Sequence, residues 1–164
     1  MKKMLLFICI FSLAFLNCDL LTHEFMGRYG LKNCSFELTS VNADIYPDYS
    51  NLYKSYAILT IYIRVDNPNK YAVVIDRMSF DLLINNKTVL KDVENSERRS
   101  IDAGSSLRFS ISVKVTYEEL NNASDGLFDL VRKGEATYKL DSTVFIDSEF
   151  GSYSYKTTIS ESKI

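Results

Sequence analysis

Histidine is almost missing from this chain: His23 is the single one among 164 residues. Any imidazole-based triad or proton relay would have to be built on it. Its best partner would be the thiol of Cys34, across the expected start of the folded domain. Cysteine is scarce too, with Cys9, Cys18 and Cys34 as the full set. No disulfide framework can be built from them, so the fold must rest on its hydrophobic core. Tryptophan is absent, and the formal net charge is −2, which leaves no electrostatic footprint for nucleic acid or an anionic surface. The chain also has no glycine-rich phosphate loop, P-loop lysine or paired-cysteine zinc motif. Its acidic groups, Glu118-Glu119 and Asp141, Asp147 and Glu149, lack a ligand spacing and read as solvated strand ends. No cofactor, metal or small-molecule substrate is expected.

The amino terminus is more informative. Lys2 and Lys3 form a positive start, and Met4 to Phe15 is an apolar run. That length suits a signal h-region of about 7–15 residues and falls short of the roughly 20 needed to span a bilayer. The run stops at Phe15-Leu16-Asn17-Cys18-Asp19, which resembles the lipobox of bacterial lipoproteins. Phe15 and Asn17 depart from its usual Leu and small residue, as in the relaxed versions of spirochaetal lipoproteins. The competing readings are an ordinary secretory signal cut nearby and an uncleaved anchor. Asn17, Cys18 and Asp19 break the apolar run and disfavour the anchor. The resemblance implies a signal peptide over 1–17, a tether over 18–33 lipidated (palmitate included) at Cys18, and a domain over 34–164. The protein is then expected on a membrane of the bacterial cell envelope, with the membrane and its face left open. Cys34 remains as a free thiol, expected to pack as a small apolar residue.

Period two dominates the domain. Ala57, Leu59, Ile61, Ile63 and Val65 alternate with Ile58, Thr60, Tyr62 and Arg64. Leu107, Phe109, Ile111, Val113 and Val115 alternate with wholly polar neighbours, which predicts a half-buried strand with that stripe in the core. Met78 to Ile84 gives another stripe, and Asn85-Asn86 suits a hairpin turn into Thr88–Val93. Ala136 to Ile146, interrupted by Ser142, and Ser152–Ser160 give two more. Phe36, Leu38 and Val41 suggest an opening strand, and Val73–Ile75 a short one. Ser124-Asp125 can cap a short helix that Gly134 would stop. Arg98-Arg99 reads as a solvated charge cluster. About seven strands and one short helix must bury their apolar faces on one another, so an antiparallel β-sandwich is expected.

Ile61-Tyr-Ile-Arg-Val-Asp-Asn-Pro-Asn69 ends a strand in Asn67-Pro68-Asn69, which resembles the signature of the late embryogenesis abundant type 2 family, or water-stress and hypersensitive-response domain. The loop Ser100 to Ser106, with Gly104, and the later Gly134 to Leu140 resemble further family segments in the same order. The resemblance spans roughly Cys34 to Ile159. It implies a sandwich shaped like fibronectin type III or immunoglobulin modules, no catalytic activity or cofactor, and roles in stress protection or partner binding. The residues give Asn67, Pro68, Asn69 a structural reading of their own: proline ends ladder pairing, and the flanking amides can hold the corner.

Aromatics are in mild excess, with 11 Tyr and 10 Phe. Tyr46, Tyr49 and Tyr53 crowd the loop before the central strand and form the candidate interaction surface. The bland alternative is that they pack their own loop. A membrane-anchored, non-enzymatic stress-protection or protein-interaction lipoprotein is expected, its membrane contact made through the lipid on Cys18 and its protein partner unnamed. The alternative is a surface-exposed adhesin or host-factor-binding lipoprotein.

Overall fold

The computed structural model describes Met26 and residues 30–122, 137–148 and 151–163. Alternating residues fold into β1 (Ser35–Tyr46), β2 (Tyr56–Asp66), β3 (Val73–Ile75), β4 (Arg77–Ile84), β5 (Lys87–Asn95), β6 (Arg99–Ile101), β7 (Ser106–Thr116), β8 (Thr137–Ser148) and β9 (Gly151–Lys163). Helix α1 (Tyr117–Asn122) follows β7 directly, and a 3-10 turn (Leu52–Lys54) lies between β1 and β2.

Seven strands run in the order β5-β4-β8-β9-β1-β2-β7, and β3 pairs with β6 apart from them. The pairings are antiparallel except that of β1 with β9, a parallel contact that among the described residues joins Glu37 and Ser160 alone. That meagre contact is the seam of a sandwich. On one side of it stand β5-β4-β8-β9, on the other β1-β2-β7, and their inner faces share one hydrophobic cluster. Leu59, Ile61, Ile63 and Val65 of β2 meet there with Met78, Phe80, Leu82 and Ile84 of β4 and Leu140 and Val144 of β8. Each such side chain contributes about 1.5–3 kcal/mol on leaving water. The expected mainly-β antiparallel sandwich is the observed fold.

Strand position sets how deeply each stripe is buried. β2 has a neighbour on both sides, and its inner residues from Ala57 to Val65 are fully buried. β7 ends the order, so its stripe is covered from one side. Ile111 and Val115 are buried, while Leu107, Phe109 and Val113 pack against the core with part of their surface exposed. The expected inward face of β7 holds, at reduced depth.

Local chemistry explains the turns. Asn85 and Asn86 take φ of 51° and 63° between Ile84 and Lys87, the left-handed pair that a two-residue hairpin requires. Asp92, with φ 51°, sits where the β4–β5 register slips between Phe80 and Leu82. Its amide donates to Asp81 Oδ1 at 2.8 Å, so the bulge is held by a side chain.

Three features depart from the sequence expectation. The helix expected from Ser124 lies outside the described residues, whereas α1 starts seven positions earlier in the chain, at Tyr117. Thr116 N and Oγ1 donate to Glu119 Oε2 at 2.7 and 2.8 Å, and Glu119 N returns to Thr116 Oγ1 at 3.4 Å. This is a capping box, and its Thr-x-x-Glu spacing is visible in the sequence. Arg99 is not a solvated charge. It is 7% exposed, donates to Asn95 Oδ1 and Glu97 O, pairs with the Glu97 carboxylate, and lies 4.1 Å over the Phe109 ring. Arg98, 73% exposed in its side chain, pairs with Asp76 at 3.2 Å. Finally, Leu31 is buried within the core, so packing reaches back into residues 30–33, placed above in the tether.

Candidate functional site

The two ends of the β1–β2 pair differ in chemistry. At one end the chain enters through a helical turn at residues 30–33 and β2 gives way to Asn67-Pro68-Asn69. Pro68 cannot donate, so strand pairing ends and the flanking asparagines turn inward. Asn67 is 1% exposed. Its Nδ2 donates to Tyr71 O at 2.9 Å and to Ile101 O and Asp102 O at 3.0 Å each. Its Oδ1 accepts from Asn69 N at 3.0 Å and Asn69 Nδ2 at 2.6 Å. Asn69 Nδ2 also donates to Gly30 O at 2.8 Å, and Asn33 Nδ2 donates to Asn69 Oδ1 at 3.0 Å. Gly104, at φ 63°, donates its amide to Asn69 O at 3.0 Å. That left-handed backbone alone favours glycine here, because no atom lies within 4 Å of where a Cβ would stand and space sets no demand of its own.

These bonds tie the incoming turn, the β2 corner and the β6–β7 loop into one knot. Every polar atom named there has a protein partner, so the arrangement is structural and offers nothing to a ligand. Gly30 is part of it for a steric reason. A Cβ there would lie 2.6 Å from Tyr71 Cε2 and 2.9 Å from Val73 Cγ2.

Cys34 is buried beside this knot, with Sγ 3.4 Å from Gly30 O. Burial pushes its thiol up to about 11, which keeps it protonated and poorly nucleophilic at neutral pH. His23 and Cys18 lie outside the described residues. Of the carboxylates, Glu119 caps α1, and Asp141 accepts from Thr158 Oγ1 and Lys139 Nζ at 3.1 Å each. No group of three His, Cys, Asp or Glu among the described residues could hold a metal ion.

The opposite end carries the tyrosines. Tyr46 pairs with Tyr56 in register and stacks on it at 4.9 Å. Lys114 Nζ sits 4.0 Å over the other ring of that pair, Tyr56. Tyr53 meets Tyr117 of α1 edge-on at 5.4 Å. Outward exposure is high: 90% for Tyr49, 83% for Tyr53 and 45% for Tyr46. Leu52 and Ile45 beside them are also exposed. The loop bearing these rings is well tied. Asp48 Oδ1 accepts from Ser50 N at 2.9 Å, Ser50 Oγ at 2.6 Å and Asn51 N at 3.1 Å. Those bonds, the Ser50 hydroxyl first, hold the Asp48 carboxyl below the usual carboxylate range. Asn51 Oδ1 then caps the 3-10 turn through Tyr53 N at 3.1 Å. Tyr46, Tyr49 and Tyr53 therefore share one end, while Asn67, Pro68, Asn69 and Gly104 share the other. Sequence reasoning missed Tyr117, which joins the cluster across the fold with no signal but its own aromatic type.

The model of the late embryogenesis abundant protein family matches residues 62–156. No curated protein matches the chain. Among solved structures, a solution structure of an Arabidopsis thaliana protein is 22% identical, covers 79% of this chain and 79% of its own, and has a TM-score of 0.50. A solution structure of a late embryogenesis abundant protein is 15% identical over 93% of this chain and 85% of its own, at 0.46. A crystal structure from Archaeoglobus fulgidus is 13% identical over 78% and 96%, also at 0.46. With the family's residues spanning more than half of the chain, this protein belongs to the late embryogenesis abundant type 2 family.

Proposed function

We propose that this protein is a membrane-anchored bacterial lipoprotein whose sandwich is a non-enzymatic stress-protection or protein-interaction domain. Its family is stress-related. Cys18 carries the lipid, each buried acyl CH₂ contributing about 0.8 kcal/mol to retention on a membrane of the cell envelope. The observation that supports binding is the exposure of Tyr49 and Tyr53 on a loop pinned by Asp48 and Asn51. With the loop backbone already ordered, such rings contribute contact area for the cost of fixing their own rotamers. The state of Cys34 speaks against thiol chemistry, since it is buried, protonated and turned to Gly30 O.

Four measurements test the reading. Mass spectrometry of the native protein should find Cys18 as the amino-terminal, lipid-modified residue, and an unmodified Cys18 refutes the anchor. Replacing Tyr49 and Tyr53 by Ser should abolish partner capture at an unchanged melting temperature. Turnover of any substrate that vanishes on substituting His23 or Cys34 would refute the non-enzymatic reading. Protease added to intact cells removes a surface-facing protein and spares a periplasmic one, which separates this function from host-factor binding.

A further inference from the structure

We infer that the tyrosine-bearing end of the sandwich points away from the anchoring membrane and receives a basic polypeptide segment carrying apolar side chains. The inference rests on the anchoring and binding surface proposed above and names the partner's chemistry. Its first support is the polarity of the fold. Ser35 opposes Asp66 at one end of the β1–β2 pair, and Tyr46 opposes Tyr56 at the other. At about 3.3 Å per residue the two ends stand roughly 35 Å apart. The chain coming from Cys18 joins the Ser35 end through the residue 30–33 turn, so the rings are displayed at the far end.

The second support is charge. Asp44 and Tyr46 lie on one face of β1, two residues apart, and Asp48 sits inside the tyrosine loop. Glu118 and Glu119 follow Tyr117, whose ring touches Tyr53. Only Lys54 and Lys114 oppose these four carboxylates in the segments 44–56 and 114–119. An anionic lipid surface is repelled by such a rim, whereas guanidinium and ammonium groups are drawn both to the carboxylates and to the ring faces. Lys114 over Tyr56 is a cation of this chain already held in that manner. Exposed Leu52, next to Tyr53 in the same turn, supplies apolar contact beside the rings.

The test uses the full chain in neutral detergent and fluorescence anisotropy of two labelled peptides, one alternating Arg with Leu and one alternating Glu with Leu. The Arg–Leu peptide should bind and weaken with added salt, and the Glu–Leu peptide should not bind. Tyr49→Ser with Tyr53→Ser should weaken binding about tenfold, as should Asp44→Lys with Glu118→Lys, while Tyr53→Phe should retain it. Equal binding of the two peptides, or indifference to the charge reversal, overturns the inference. So does a polarity-sensitive dye on Tyr49→Cys that reports burial when the full chain sits in phosphatidylglycerol vesicles. If the double serine variant loses its cellular partner but the Arg–Leu peptide never binds, the binding surface stands and the basic partner falls.

Discussion

Asn69 Nδ2 lies 2.6 Å from Asn67 Oδ1 and 2.8 Å from Gly30 O, so one side-chain amide joins the β2 corner to the turn through which the chain enters. Asn67 in turn is the hub for carbonyls of Tyr71, Ile101 and Asp102. Removing it leaves the buried Ile101 carbonyl and the buried Asn69 amide without this partner, and two part-buried carbonyls with them, a buried group costing about 1–3 kcal/mol when unsatisfied. Asn67→Ala should therefore cost about 3 kcal/mol or more in chemical denaturation. A loss below about 1 kcal/mol would show that the knot is not what holds this end.

Ser142 sets a test of opposite sign. It is 4% exposed, and its hydroxyl has no protein hydrogen-bond partner among the described residues. Replacing the hydroxyl with hydrogen removes a buried polar group without opening a large void, so Ser142→Ala should stabilise the protein by about 1 kcal/mol. Thermal melting reads the sign, and a lowered melting temperature refutes it.

Burial depth separates two inward residues. Ile61 is fully buried in the central strand β2, while Phe109 lies on the outermost strand β7, partly exposed and under the Arg99 guanidinium. Ile61→Ala should cost about 2–5 kcal/mol. Phe109→Ala should fall below the roughly 3–5 kcal/mol of a fully buried phenylalanine, and outward-facing Ser110→Ala should change stability by about half a kcal/mol or less. Equal losses at Phe109 and Ser110 would contradict the register of β7.

The Cys34 thiol predicts an alkaline effect. Its pKa rises from 9.0 to about 11 on folding, so between those values the unfolded chain has lost a proton that the folded one keeps. Stability from this group is complete below about pH 9 and falls as pH climbs to about 11. At 1.36 kcal/mol per unit the loss totals about 2–3 kcal/mol. Comparing wild type with Cys34→Ala across this range should isolate it, and parallel curves would exclude it. Native protein should also resist thiol alkylation until unfolded.

Period two in the sequence was sufficient to find the long strands, because a strand with one buried face must alternate. Asn85-Asn86 likewise marked its hairpin, since few residues accept positive φ twice. Thr116-x-x-Glu119 was equally legible as a helix start and was overlooked. Arg99 was not legible: its burial depends on Phe109 arriving from β7, and local sequence shows only two adjacent arginines beside Glu97. Leu31 and Gly30 were hidden for a similar reason, as four residues carry no period and only the distant Asn69, Tyr71 and Val73 make them part of the core. The tyrosines lie between these cases. Sequence placed Tyr46, Tyr49 and Tyr53 in one loop. Their exposure, the joining of Tyr117 and their separation from the chain's point of entry were decided by tertiary structure, because exposure is a property of what fails to pack against a residue, and no run of neighbours along the chain encodes that.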